Sequence, residues 1–183
     1  MPIAKTERLT LRRLDARDAP FILELVNEPS WRRFIGERNV QTQDDARHYI
    51  ADGPAKMYAR LGFGLWLVEL NDGCVPVGIC GLIKRDALED VDIGFAFLAA
   101  HRGNGYAFEA ASATARIGWE TFGLARMVAI TTPDNDNSVR LLEKLGFRFE
   151  RIVRLAADAP EVMLYAAHPT CEASDHHLQI RTA

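Results

Sequence analysis

The chain has 183 residues, 48% of them hydrophobic and 26% charged, which describes one globular domain with a real core and not a disordered chain. A formal net charge of −3 removes the electrostatic case for nucleic acid as the main partner. No apolar run approaches the ~20 residues of a membrane span, and the N-terminal stretch has no signal-peptide h-region.

In chain order, residues 6–14 alternate apolar and polar through Leu9 and Leu11, the pattern of a first strand. A turn at 15–18 offers Asp18 as N-cap for a helix carrying Phe21, Ile22, Leu25 and Val26. Asn27-Glu28-Pro29-Ser30 ends that helix, because proline biases its predecessor away from helical backbone. Residues 31–40 read as irregular. A second helix starts at Thr42 or Gln43, with Asp44 and Asp45 suited to its dipole, and Gly53-Pro54 kinks or divides it. A hairpin follows: strand 62–70, a turn at Asn71-Asp72-Gly73, and strand 75–83, in which Gly78 and Gly81 mark bulges or close backbone approach.

A charged turn at 84–90 leads to strand 91–98, then Arg102-Gly103-Asn104-Gly105-Tyr106-Ala107, then a long amphipathic helix from about Gly105. Strand 127–131, a short helix over 139–145 and strands at 148–153 and 161–166 complete the domain, set at residues 1–167. The tail from His168 is polar and aperiodic and is expected to be poorly ordered. The cysteines, Cys74, Cys80 and Cys171, form no metal-ligand spacing, and His176-His177 lacks a third ligand, so no metal is expected. Free thiols make the cytoplasm the default setting.

The turn at 102–107 carries the first chemical signal. The opening turn of a helix leaves backbone N–H groups unpaired and a positive partial charge. Gly103 and Gly105 remove the Cβ atoms that would keep a phosphate from those groups. The same glycines also serve a plain tight turn, and the residues alone leave both readings open. The P-loop and dinucleotide fingerprints are absent.

Arg102 to Ala107 matches the R/Q-x-x-G-x-G/A signature of the GCN5-related N-acetyltransferases, the GNAT superfamily, and the chain most resembles its RimJ/RimL-type ribosomal-protein members. Supporting pieces are Thr6-Glu7-Arg8-Leu9, Gly78-Ile79-Cys80-Gly81, Asp92-Ile93-Gly94-Phe95, and Asn135-x-x-Ser138 followed by Glu143-Lys144-Leu145-Gly146-Phe147. The resemblance implies an α+β GNAT fold: a mixed, mostly antiparallel sheet, flanked by helices, in which one parallel strand pair splays. It also implies acetyl-CoA in that gap, transferred to a primary amine. By position, backbone groups of Phe95, Ala96 and Phe97 would pair with the pantetheine arm. Arg102, Gly103, Asn104, Gly105, Tyr106, Ala107 and Phe108 would form the pyrophosphate turn, and Asn135 and Ser138 would complete the cofactor site.

Many superfamily members use a tyrosine as acid where this chain has Leu142; RimJ/RimL-type relatives share its absence, and the resemblance implies the serine of Asn-x-x-Ser, here Ser138, as proton donor to the leaving thiolate, with a plain helix cap, water or no donor as the alternatives. Asp92 stands where the family keeps a strand carboxylate and is the candidate base. Trp31, Arg32, Arg33 and Trp66 are the candidate acceptor-binding residues, with core packing or solvated charge as their plain alternative; arginines there, Arg38 included, would favour an anionic group on the acceptor. A base-poor site suits an α-amine, already partly neutral near pH 8, better than a lysine. The expected acceptor is therefore a protein N-terminus, with a small-molecule amine or a non-catalytic acyl-CoA-binding module as alternatives. Relatives commonly dimerise, which leaves a homodimer open.

Overall fold

The structure is a computed structural model and describes residues 2–169. The expectations for Cys171, for His176-His177 and for the tail beyond Pro169 lie outside the described residues.

Eight strands form one sheet: β1 (Pro2–Lys5), β2 (Leu9–Arg13), β3 (Leu65–Leu70), β4 (Pro76–Lys84), β5 (Val91–Phe97), β6 (Met127–Thr131), β7 (Arg148–Val153) and β8 (Val162–Ala167). Their spatial order is β1-β2-β3-β4-β5-β6-β8-β7. Every adjacent pair is antiparallel except β5 and β6, which the crossover helix α5 (Tyr106–Glu120) joins in parallel.

Strand alternation sends residues to two faces. On one face Trp66, Val68, Cys80, Leu82 and Ile93 pack with Ala110 and Ala111 of α5. On the other, Leu67 and Ile79 pack under α1 (Ala19–Val26), α2 (Pro29–Phe34) and α3 (Gln43–Ile50), through Ile22, Leu25, Trp31 and Ile50. Close approach explains two glycines. A Cβ on Gly81 would stand 2.1 Å from the Gly64 carbonyl oxygen, and one on Gly78 would stand 2.5 Å from that of Ala96. The bulge of this hairpin lies instead between Val68 and Glu69.

Several local expectations are corrected. Strand β1 carries no alternation strong enough to read, yet it pairs with β2. Residues 31–40 are not all irregular. Glu28 takes the extended backbone (φ −59°, ψ 143°) that a following proline demands. Pro29 then opens α2, at the first helical position, where its missing N–H costs nothing. Asp18 makes no side-chain cap for α1. It is buried, receives both terminal nitrogens of Arg12 (2.9 and 2.8 Å), and closes a capping box with Asp15. Gly53-Pro54 does divide its helix: a widened π-helical turn (Ala51–Ala55) absorbs Pro54 before α4 (Lys56–Leu61). Helix α6 starts three residues earlier than read and spans Asp136–Lys144.

Candidate active site

The parallel pair holds for only two residue pairs, Val91 with Met127 and Asp92 with Val128. Beyond them β5 continues to Phe97 and β6 to Thr131 without pairing. The strands enclose a cleft of about 670 Å³ lined by Ile93 to Phe97 on one side and Ala129 to Thr131 on the other. Strand β5 still pairs with β4 along its other edge, so its cleft edge offers backbone groups to whatever enters.

At one end stands the turn before α5. Gly103 and Gly105 have φ of +79° and +80°, a region costly for any residue with a Cβ. Among the described residues, none of the amides of 103–108 donates to a backbone carbonyl. Gly103 has open space where a Cβ would be. Open amides at the start of a 15-residue helix have the geometry of an anion cradle. Lys144 adds a positive charge beside it, its Nζ 4.2 Å from the Phe108 ring centre, and lines the same cleft.

The cradle is braced from behind. Glu109 accepts from the Thr6 hydroxyl (2.6 Å), the Arg8 amide (2.9 Å) and Arg8 Nε (2.7 Å). Arg8 Nη1 donates in turn to the Asn104 carbonyl (2.9 Å). Asn104 does not line the cleft, and its side chain donates to the His101 and Arg102 carbonyls (3.2 and 3.3 Å). Arg102 is committed inward too: its guanidinium donates to Glu28 and Ser30 (2.6 Å each) and to the Phe97 carbonyl. It ties the end of β5 to α2, and it occupies a Phe97 oxygen expected to be open to the pantetheine arm.

On the opposite wall, the Asn135 side-chain oxygen accepts from the Ser138 amide (3.3 Å) and caps α6. Ser138 is therefore not the cap but the third residue of the helix. It is half-buried, its hydroxyl holds no hydrogen bond among the described residues, and it lines the cleft with Asn135 and Leu142.

Asp92 sits at the apex where β5 and β6 part. It is 1% exposed. Its Oδ2 accepts from Arg85 Nε at 2.6 Å, and its Oδ1 has no hydrogen-bond partner among the described residues. Burial pushes its carboxyl up to about 6; Arg85 opposes that rise, as does the Ile130 amide, which lies close by but outside hydrogen-bonding geometry.

The four expected acceptor residues separate. Trp31 is buried in the cleft wall. Arg32 turns away to Asn27 (2.6 Å). Arg33 pairs at 2.9 Å with Asp134, in the loop after β6, joining the two walls at the surface. Trp66 is fully buried in the α5-side core and lines no part of the cleft. Its neighbour Leu65 does, because alternation puts odd-numbered β3 residues on the α1–α3 face. Sequence reading missed Glu28, Tyr49 and Arg85 as cleft residues. A mixed-charge turn gives Arg85 no signal, and Tyr49 reads as one more apolar helix position.

The model of the acetyltransferase (GNAT) domain matches residues 8–148. The Bacillus subtilis protein described as uncharacterized N-acetyltransferase YoaA is 30% identical over 154 residues, 84% of this chain and 86% of that protein. An acetyltransferase structure from Agrobacterium tumefaciens superposes with a TM-score of 0.79 at 24% identity, covering 92% of this chain and 95% of that one. RimL, a ribosomal L7/L12 α-N-protein acetyltransferase solved with coenzyme A, superposes at 0.71 with 17% identity, covering 92% and 98%.

Proposed function

The chain belongs to the GNAT acetyltransferase family, and from that we propose that it holds acetyl-CoA between β5 and β6 and acetylates a primary amine, a protein N-terminal α-amine foremost. The observation that carries this reading is the two-residue parallel pair: it leaves a strand-width gap running from the Gly103–Gly105 turn to Asp92. The fit is physical. The turn's open amides suit a pyrophosphate, and the free edge of β5 at Phe95 and Ala96 suits an amide-bearing arm.

Acetyl-CoA, when bound, supplies a thioester carbonyl and a thiolate leaving group. The protein supplies the rest. The amides of Gly103 to Phe108 hold negative charge at the helix start, with Tyr106 and Ala107 in that first turn. Asn135 spends its oxygen on the cap and keeps its NH₂ for the arm. Asp92 accepts the amine's proton through its unpartnered Oδ1, and a carboxyl near 6 is ionised at neutral pH and ready to do so. Ser138, free of capping duty, relays to the departing sulfur the proton that the nitrogen sheds as the amide forms, and ends as a hydroxyl again. Trp31 closes the acceptor side. Asp92 is a weak base toward a lysine ammonium near 10.4 and a closer match to an α-amine near 7.7–8.0, and RimL, an α-N-protein acetyltransferase, acts on an α-amine.

The test is thiol release from acetyl-CoA with three acceptor sets: N-terminal peptides, lysine peptides blocked at the α-amine, and small amines. Fastest turnover with free α-amines is expected. Preference for the blocked lysine peptides would overturn the acceptor assignment. Tight acetyl-CoA binding with no acceptor-dependent release from any set would make the chain a binding module.

A further inference from the structure

The α1–α3 side of the cleft carries charge that the proposed transfer does not use. Arg38 lines it, is exposed, and makes no ion pair or hydrogen bond among the described residues. Arg85 lines it too. Its Nε serves Asp92, and neither terminal nitrogen holds a hydrogen bond among the described residues. Tyr49 lines the same cleft, within electrostatic reach of both guanidiniums. The mouth beside them is apolar, formed by Phe34 and by Ile35, one of the few large hydrophobic side chains left exposed.

The remaining charges near this wall are accounted for. Glu28 is neutralised by Arg102 at 2.6 Å, and Arg85 and Asp92 cancel. Arg38 leaves one net positive charge, and two guanidiniums, those of Arg38 and Arg85, line this cleft with terminal nitrogens that hold no acceptor among the described residues. Lys144 lies at the other end, over Phe108.

We infer that the acceptor carries a carboxylate close to its reacting amine, and that Arg38 and the free end of Arg85 bind it, with Tyr49 as a further donor. This rests on the proposed transfer and specifies its substrate class. One net positive charge matches a monoanion better than a phosphate dianion. Arg85 fixes the spacing: one edge holds Asp92, where the amine delivers its proton, and the opposite edge holds the carboxylate. The two acceptor groups are therefore separated by roughly the width of one guanidinium, as in a free amino acid or in an N-terminal Asp or Glu. Arg–carboxylate pairing of this kind is directional and charge-assisted.

The experiment uses matched acceptors that differ only in the anion. One arm compares L-phenylalanine with L-phenylalaninamide. The other compares peptide amides beginning Asp-Phe with those beginning Asn-Phe. Each is assayed for thiol release with acetyl-CoA, and each is titrated calorimetrically against the protein saturated with CoA, where no transfer occurs. The carboxylate member of at least one arm should bind and turn over at least about tenfold better, and the arm that shows it identifies the source as free amino acid or acidic N-terminus. Arg38→Ala should shrink that preference to about twofold, through KM and Kd and not kcat. Arg38→Lys should restore part of it. Equal binding within both pairs, or an undiminished preference in Arg38→Ala, overturns the inference. Calorimetry decides this even where no thiol is released, so failure of the clamp is distinct from failure of the transferase reading.

Discussion

Asp92→Asn separates burial chemistry from packing. The substitution keeps size and shape and removes the charge. In the folded protein the carboxyl sits at about 6 against an ordinary 3.8, a difference equivalent to about 3 kcal/mol. The folded state holds this proton more tightly than the unfolded chain does. Its stabilising contribution is therefore complete below pH 3.8 and is lost as pH rises through 6; above that, the ionised group costs the fold about 3 kcal/mol. Asn pays no such cost. Urea unfolding of both proteins at pH 4 and pH 7.5 should show the stability difference moving by about 2.5 kcal/mol in favour of Asp92→Asn at the higher pH, since the unfolded carboxyl is already partly ionised at pH 4. Comparing the two at each pH cancels the titration of every other carboxylate. Activity should move the other way: kcat/KM of the native protein should fall below pH 6, and the variant should lose about 100-fold or more at pH 7.5 along with that acid limb. A swing under 1 kcal/mol would refute the burial argument. An intact acid limb in the variant would refute the assignment of the base.

Ser138→Ala should lower kcat by about 100-fold with little change in Tm, since Asn135 caps α6; unchanged kcat would remove the donor role. Asn135→Ala should cost about 1 kcal/mol as a lost cap and weaken CoA binding, read by thermal melts and calorimetry together. Gly103→Ala should cost about 1 kcal/mol for its left-handed backbone and should weaken CoA binding more than it weakens the fold, because the added methyl points into open space. Gly81→Ala should be the most damaging of these to Tm, by several kcal/mol, because its Cβ would fall 2.1 Å from the Gly64 oxygen.

The parts of this fold legible in sequence are those written in local periodicity or in turn chemistry. The hairpin at Asn71-Asp72-Gly73, the crossover helix and the cradle glycines are of that kind. Thr42 as the cap of α3 is another, closing its box with Asp45. What escaped depends on long-range partners. Strand β1 exists because β2 offers it an edge. Asp18 is decided by Arg12, six residues back and one strand away. Trp66 and Leu65 differ by one residue and face opposite sides of the sheet, and aromatic character alone cannot say which side is the cleft. Arg102 fits the motif, but its side chain braces α2, a contact that only the folded chain brings about.

The gap between β5 and β6 has a bearing on misassembly. An unpaired strand edge is normally where one chain recruits another into a shared sheet, and proteins shorten, charge or bury such edges. Here the open edge lies in the middle of the sheet, recessed between α2 on one wall and α6 on the other, with the exposed Arg33–Asp134 pair across the rim. An edge recessed in this way does not lie at the rim of the sheet, where edge-to-edge pairing begins. On the proposed reading, the hydrogen bonds this sheet forgoes are those the pantetheine arm would make.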